Sequence, residues 1–350
     1  MAADKLKPET VEQENGGYDT YGSKPSAGQR VKAHLKRRWW VHLIIFLLIV
    51  LLVVLLIIFV AFPKIAQKEV NKAEVVLVSE VVTDPTPDSV QLKLVSRVLS
   101  DSKYHPKIDA FEAALYLEDT LPDIIPFVYV TIPEMISKSD VTAVVEQRVT
   151  IANQEQFARY NKLALASEKF NIGLQGRPKI HVGKLPVTTV DFNKIVESKG
   201  LNGLAGFKIE SFEIKLPAEP DGSNMVGTVF IPNPSPLDFT MGDVTLDIFV
   251  AGKLIGNSTL ANLHIAPGEN RLPLRSIVEQ TEVISLVTST YQDGMLPVDI
   301  VGRSAVDKDG QHLTYFEEAL KGNSMHTELN VGEALTKMGI DLNALTSGSG

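Results

Sequence analysis

The stretch Asp243–Val250, DVTLDIFV, alternates between two sets of side chains. One set is Val244, Leu246, Ile248 and Val250, and the other is Asp, Thr, Asp and Phe. Because successive side chains of a strand point to opposite faces, this period of two predicts a half-buried antiparallel β-strand.

The same alternation recurs outward along the chain. It is present in Val90–Leu94, Phe111–Glu118 and Ile180–Val182. Turn-forming segments rich in proline, glycine and asparagine lie at Pro232–Pro236, Ala266–Asn270 and Asp307–Gly310. Helical patterns are fewer, and we expect helices only at 153–167, 192–198, 315–321 and 332–338. A mainly β fold follows.

A weak internal repeat divides the strand-rich region. Four short matches recur in the same order: Val145-Glu146-Gln147 with Val278-Glu279-Gln280, Gly176-Arg177 with Gly302-Arg303, Phe192 with Phe316, and Lys199-Gly200 with Lys321-Gly322. The order favours a duplication into two tandem Ig-like β-sandwich domains, 81–204 and 207–338. The glycine-rich run Gly200–Gly206 between them is expected to be a flexible hinge.

Upstream of the strands, Leu43–Phe62 is a run of twenty consecutive apolar residues. A helix of that length is about 30 Å long, which matches the hydrocarbon core of a bilayer. We predict a transmembrane helix over 39–62, followed by a juxtamembrane helix or linker over 63–80 that ends before the prolines of Val81–Ser89.

Basic residues crowd the N-terminal flank of this helix. The positive-inside rule therefore places residues 1–38 in the cytosol and the strand-rich part in a lumen. The tail 1–38 is polar without apolar periodicity and is predicted to be disordered, and 339–350 is predicted to be a flexible C-terminus.

Composition excludes several classes of function. The 350 residues include 34 basic and 42 acidic side chains and no cysteine. An acidic balance disfavours nucleic-acid binding, and the lack of cysteine excludes disulfides and thiolate chemistry. The seven histidines show no metal-ligand spacing, and no nucleophile motif occurs. We therefore predict no catalytic residue, no metal site and no cofactor, and we do not expect an enzyme.

One modification motif is present. Asn257-Ser258-Thr259 matches the acceptor sequence for N-glycosylation and would face the lumen in the predicted topology. The apolar neighbours Leu254, Ile255 and Leu260 predict partial burial, which opposes glycan attachment.

A resemblance adds to this reading. The segments Gly227–Leu237, Met241–Val244, Gly252–Gly256 and Pro267–Asn270 contain Asn-Pro-Ser at a strand end and a later Pro-Gly-x-Asn turn. They resemble a type-2 late-embryogenesis-abundant (LEA type 2) domain. The first copy departs from that pattern, because Val98–Asp101 stands where Asn-Pro-Ser is expected.

The layout of tail, single helix and strand-rich body resembles fungal single-pass vacuolar membrane proteins of that superfamily, a group known as a domain of unknown function. The resemblance implies an Ig-like sandwich, a fungal vacuole membrane location and lipid held in an apolar groove between sheets. It implies no catalytic residues.

Two hypotheses about function remain open. In the first, the lumenal domains bind or transfer lipid, and apolar strand positions line the groove; the alternative is that these positions fill a closed core. The positions are Phe111, Leu115, Val244, Leu246 and Ile248. In the second, the chain is a vacuolar membrane adaptor or signalling regulator, whose cytosolic tail recruits protein partners. A lumenal hydrolase is a remote third.

Overall fold

The structure is a computed structural model and describes residues 38–340. The predicted tail, except Arg38, and most of the predicted flexible C-terminus lie outside the described residues. Contacts divide the chain into two units, one up to Phe59 and one from Val60 onward, which are described separately.

The first unit contains the apolar helix. Helix α1 spans Trp39–Leu56 and buries no side chain. A π-helical segment follows at Ile57–Ala61, and the second unit begins within it and continues with α2 at Phe62–Lys72. Together, Trp39–Lys72 form one helical stretch that is long and apolar enough to cross a membrane, consistent with a single-pass membrane protein.

The predicted linker over 63–80 is wrong in its second half. Helix α2 ends at Lys72, and strand β1 already begins at Glu74. The run Glu74–Thr83 is rich in valine, which favours a strand, and the backbone of β1 is paired with β2 from Glu74 onward. Pairing, and not the downstream prolines, therefore ends the helix.

The second unit is mainly β, as predicted. Its strands are β1 (Glu74–Thr83), β2 (Ser89–Leu99), β3 (Lys107–Ile108), β4 (Phe111–Leu117), β5 (Pro126–Ile132), β6 (Met135–Ile136), β7 (Asp140–Thr150), β8 (Lys169–Gly176), β9 (Lys179–His181), β10 (Thr188–Thr189), β11 (Phe192–Lys199), β12 (Lys208–Ile214), β13 (Met225–Asn233), β14 (Leu237–Thr240), β15 (Asp243–Val250), β16 (Lys253–Leu260), β17 (His264–Ile265), β18 (Gly268–Val278), β19 (Met295–Val306) and β20 (Ser324–Asn330). Its further helices are α3 (Gln154–Ala166), α4 (Gln280–Ser289), α5 (Thr314–Lys321) and α6 (Val331–Lys337).

The strands form four sheets that give β-sandwich-like domains. A five-stranded sheet has the order β17-β14-β1-β2-β7, and four-stranded sheets have the orders β11-β8-β4-β5 and β10-β9-β3-β6. The largest has seven strands, β12-β13-β18-β16-β15-β19-β20. A single apolar core cluster connects residues of the five-stranded sheet, β4, β5 and the seven-stranded sheet.

One strand pair departs from the antiparallel expectation. Strand β14 lies in the predicted second domain, yet it pairs in parallel with β1 through Glu80 and Leu237. The buried Asn233 donates to the Leu237 carbonyl at 2.6 Å, and this contact fixes the turn between β13 and β14. The domain bounds 81–204 and 207–338 stay a prediction, but one sheet contains strands from both sides.

The predicted hinge at Gly200–Gly206 is wrong. Leu201 and Leu204 are buried, and the Leu201 amide donates to the Ala164 carbonyl at the end of α3. A Cβ at Gly200 would lie 2.3 Å from the Ser167 carbonyl oxygen, so glycine is required there by close packing and not by mobility.

Strand β4 is also more deeply buried than predicted. Both of its faces are covered from Ala113 to Leu117. The Tyr116 ring lies against Gly173 of β8, where a Cβ would come within 2.1 Å of the ring. The Tyr116 hydroxyl donates to Asn193 Oδ1 at 2.8 Å, which satisfies its buried polar end.

Three of the four predicted helices are present, and one is wrong. Residues 192–198 form strand β11, not a helix, because they pair with β8 along their whole length. One match of the predicted repeat is also wrong. Phe192 is in a strand and Phe316 is in helix α5, so the two residues do not occupy equivalent elements.

A different equivalence does hold. The order strand, helix, strand recurs as β7-α3-β8 and β18-α4-β19. Gln154 and Gln280 begin the two helices, and Gly176 and Gly302 follow them at the same distance along the chain. Because the spacing is the same, α3 and α4 occupy corresponding positions in the two halves of the β unit.

Candidate functional site

The candidate site is an apolar pocket inside the seven-stranded sheet. This sheet curls until its two edge strands, β12 and β20, approach each other. The cavity at one end of the sheet has a volume of about 80 Å³ and opens to solvent. We call it the curled-sheet pocket.

All seven strands contribute to this end of the sheet. Strands β12, β15, β18 and β20 end here, whereas β13, β16 and β19 begin here. The alternation of the strands directs one apolar side chain or more from each into the interior. These residues are Phe212, Ile214, Met225, Ile248, Ile255, Val278, Leu296 and Leu329.

Two helices border the mouth of the pocket. Helix α4 follows β18 and presents Val283 and Ile284, and α6 follows β20 and presents Val331 and Leu335. Helix α4 is held loosely, since Val287 is its single buried residue. Ile284 remains 39% exposed, so the rim of the pocket is itself apolar.

The polar side chains in the lining are already engaged by the backbone. Asn224 Nδ2 donates to the Val278 carbonyl at 2.7 Å, and Asn224 Oδ1 accepts from the Val278 amide at 2.9 Å. Gln280 Nε2 lies 3.5 Å from the Asn224 carbonyl oxygen. The interior thus offers dispersion and hydrophobic contact, and no charged side chain among the described residues lines it.

Ion pairs lie beside the lining residues in sequence. Lys215 is 2.8 Å from Glu213, Lys253 is 2.7 Å from Glu282, and Lys337 is 2.8 Å from Glu333. The hydrogen bond from Lys215, with the nearby charge of Lys337, lowers the pKa of Glu213. Charged groups are therefore available outside an apolar interior, as an amphipathic ligand requires.

The first half of the second unit contrasts with this pocket. There, Phe127, Phe157, Tyr160 and Phe170 stack or meet edge to face between the sheets. A cavity in contact with Phe127, Phe157 and Tyr160 has a volume of only about 10 Å³.

A buried acid lies in that first core. Tyr160 donates to Glu80 Oε1 at 2.6 Å, and Glu80 is 5% exposed. Burial raises the pKa of Glu80 to about 7, although the Tyr160 hydrogen bond partly opposes the shift. Burial, and then the charge of Glu80, raises the pKa of Tyr160 well above its ordinary value.

The sequence-predicted glycosylation residue lies in the middle of a sheet. Asn257 is on β16, where it is paired with Asp247 of β15 and Ile277 of β18. Its side chain is half-buried, as its neighbours predicted. Whether it carries a glycan stays a prediction.

The histidines are dispersed, and four contact a carboxylate. His181 is 2.8 Å from Asp109, His264 is 2.6 Å from Asp238, His312 is 2.5 Å from Glu317, and His326 contacts Asp299. Within residues 38–340, no group of three or more His, Asp or Glu side chains is arranged to hold a metal ion.

Sequence reasoning named Ile248 but missed the rest of the pocket. Ile248 lines it and belongs to the same buried core cluster as Val244 and Leu246, which do not line it. Leu115 borders the smaller space in the first half, and Phe111 is partly buried against the core cluster. Lining and core positions carry the same residue types at the same period, so no signal in the sequence separates them.

Comparison with known proteins gives a limited result. A family described as "Protein of unknown function (DUF3712)" matches residues 125–248, from the start of β5 into β15. No curated protein matches the chain.

Three solved structures share some similarity. A protein from Archaeoglobus fulgidus is 12% identical, covering 37% of this chain and 94% of its own, with a TM-score of 0.18. The periplasmic chaperone SfaE is 13% identical over 68% of this chain and 95% of its own, with a TM-score of 0.17. A bacterial adhesin from Mobiluncus mulieris is 10% identical over 67% of this chain and 81% of its own, with a TM-score of 0.20. Similarities this low carry no argument, and the match to a domain of unknown function is the family information that stands.

Proposed function

We propose that this chain is a membrane-anchored, non-catalytic protein that binds or transfers lipid through the curled-sheet pocket. The observation that carries the proposal is an apolar cavity of about 80 Å³, which is open at one end and is not filled by any side chain that the structure describes. A closed sandwich core would leave no such space.

The chemistry of the lining selects the part of a lipid that enters. An acyl chain gains roughly 0.8 kcal/mol for each methylene group transferred from water into the cavity, before the costs of binding. A charged headgroup would be desolvated inside and stays at the mouth, beside the ion pairs of Lys215, Lys253 and Lys337.

The finer identity is also proposed. We infer from the Asn-Pro-Ser and Pro-Gly-x-Asn segments that the strand-rich unit is related to LEA type 2 domains. In the proposed setting the chain is in the fungal vacuole membrane, its tail is cytosolic and its β unit is lumenal. Support comes from the basic N-terminal flank and the single apolar helix.

The proposal is tested on residues 64–350. Among the described residues the buried apolar core begins at Ala66, so this fragment retains it. A fluorescent fatty acid is titrated into the lipid-depleted fragment, and saturable binding with displacement by unlabelled phospholipid is expected.

A matched pair of variants assigns the binding to the pocket. Ile284→Lys introduces a charge at the mouth, where the side chain is 39% exposed, and should weaken binding about tenfold or more. Ile195→Lys makes the same change on β11, where the side chain is 40% exposed and lies outside the pocket, and should leave binding unchanged.

Equal weakening by both variants would contradict the assignment to the pocket. Absence of fatty-acid binding, together with no lipid extraction from liposomes, would contradict the lipid function itself and leave the adaptor hypothesis.

A further inference from the structure

The loop between β9 and β10 carries exposed apolar side chains. Residues 183–187, Gly-Lys-Leu-Pro-Val, are all exposed, with Leu185 at 40% and Val187 at 52%. Neighbouring apolar side chains at an exposed tip are a feature of surfaces that contact a partner.

This loop is fixed to helix α2. Ala66 of α2 packs with Ile180 and Val190, the residues that flank the loop on either side. Gln67 closes the contact with two hydrogen bonds to Asp191: its Nε2 donates to the carbonyl at 2.7 Å, and its Oε1 accepts from the amide at 2.8 Å.

A second contact shows in which direction the segment after Asp191 runs along α2. Lys194 Nζ donates to the Asn71 carbonyl at 2.9 Å, one helical turn after Gln67. The segment from Asp191 to Lys194 therefore runs in the same direction as α2. Residues that precede Asp191 therefore lie toward the N-terminal end of the helix, and one of them, Val190, packs against Ala66.

The lengths of the helix segment Phe62–Gln67 and of the loop segment Val187–Asp191 allow the loop tip to reach that end of α2. Phe62 precedes Gln67 by about 7 Å at ~1.5 Å per helical residue. Val187 precedes Asp191 by up to about 13 Å at ~3.3 Å per extended residue. The tip can thus reach the level of Phe62, where the apolar run ends and Pro63 and Lys64 follow.

We propose that this loop inserts Leu185 and Val187 into the interface of the same bilayer that holds the helix Leu43–Phe62. The inference rests on that helix crossing a membrane, but not on the pocket binding lipid. Ile65 on α2 is 50% exposed near the same end and adds to the apolar surface. Lys184 lies within the loop, where its ammonium group can contact lipid phosphates.

The contact would give the β unit a second attachment to the membrane besides its covalent link. A single helical connection leaves an attached domain free to tilt, whereas a second apolar contact restricts its orientation.

The absence of cysteine from the chain makes a direct test practical. Single-cysteine variants of the full chain are labelled with an environment-sensitive fluorophore and reconstituted into vesicles of phosphatidylcholine and phosphatidylserine. Nitroxide-labelled lipid is then used as a quencher. Leu185→Cys and Val187→Cys report on the loop, and Leu51→Cys reports on the helix.

Asp309→Cys is the distal control. It follows Lys308, whose Nζ lies 3.0 Å from Asp84 Oδ1 just beyond the far end of β1. Ten residues of β1 separate that end from α2, a span of about 30 Å of strand at ~3.3 Å per residue.

The expected result is strong quenching at Leu51, quenching at Leu185 and Val187 at least twofold above that at Asp309, and little quenching at Asp309. Quenching at Leu51 without an excess at both loop positions would overturn the loop proposal and leave the anchor intact. No quenching at Leu51 would overturn both the anchor and the loop proposal.

Discussion

Helices α3 and α4 occupy corresponding places in the two halves of the β unit, yet they leave different interiors. Helix α3 buries seven residues, including Phe157 and Tyr160, whereas α4 buries only Val287. The fourth residue of each helix is Phe157 in α3 and Val283 in α4. An aromatic ring fills the first interior, and a smaller side chain at the matching place leaves the curled-sheet pocket open.

This difference shows how a binding site can be formed by the same apolar residue types that fill a closed core. Neither interior requires a special motif. The helix that follows the strand decides whether the space inside is filled, because an unfilled apolar interior loses dispersion contacts that a ligand can restore.

The largest effect is expected from removing the aromatic ring of the filled half. Phe157→Ala should lower the free energy of unfolding by about 3–5 kcal/mol, since the ring is buried among Phe127, Tyr160 and Tyr315. Urea denaturation of residues 64–350 measures the change.

Val283→Ala is the matched control at the open half and should cost about 1 kcal/mol, because its side chain borders a pocket. Similar costs for the two changes would break the comparison between filled and open interiors.

The next effect concerns the acid in the filled half. With its pKa raised from 4.5 to about 7, Glu80 keeps its proton in the folded state where the unfolded chain has lost it. The stabilisation is therefore complete below pH 4.5 and is lost as the pH rises to about 7. At about 1.4 kcal/mol per pKa unit, the loss amounts to about 3 kcal/mol.

Glu80→Gln should remove this slope, because the amide does not titrate and can still accept the Tyr160 hydrogen bond. Unfolding free energies of both proteins are compared at intervals from pH 4.5 to 7.5. Parallel curves would show that Glu80 is ionised in the folded core and would refute its assignment as a neutral buried acid.

A smaller effect is expected from filling the open half. Val283→Phe gives α4 the residue that α3 carries, and the ring should occupy part of the curled-sheet pocket. Fatty-acid affinity should fall about tenfold, equivalent to about 1.4 kcal/mol, with stability changed by less than about 1.5 kcal/mol. Isothermal titration and urea denaturation give the two numbers.

Unchanged affinity in a folded Val283→Phe protein would mean that the ligand, if any, binds elsewhere. A loss of affinity that accompanies unfolding would be uninformative in this variant, and Ile284→Lys at the exposed rim then decides the question.

The strands were predictable where one face of the strand is buried and the other is exposed to solvent. Strand β15 begins and ends at the predicted residues Asp243 and Val250, with Val244, Leu246, Ile248 and Val250 buried. Helices α3, α5 and α6 were predictable from their apolar periodicity to within a residue or two at each end.

The wrong predictions concern segments whose structure is determined by contacts with residues distant in the sequence and not by the local residue pattern. Phe192, Ile195 and Val196 are spaced as in a helix, but β8 offers a complete pairing partner, and the segment becomes β11. The glycines of 200–206 suggested a hinge, but the leucines between them pack beneath α3.

The pocket could not be predicted for a different reason. Its existence depends on how far the seven-stranded sheet curls and on how little of α4 enters the interior. Both are properties of packing between elements that lie far apart in the sequence, and Ile248 has the same local pattern as the closed-core residue Leu246.

The most direct test of the account is native mass spectrometry of residues 64–350 purified from cells without added lipid. The account predicts a population carrying one lipid per chain, which persists in Ile195→Lys and is greatly reduced in Val283→Phe. A folded protein that carries no lipid, or that carries the same amount in all three forms, would contradict it.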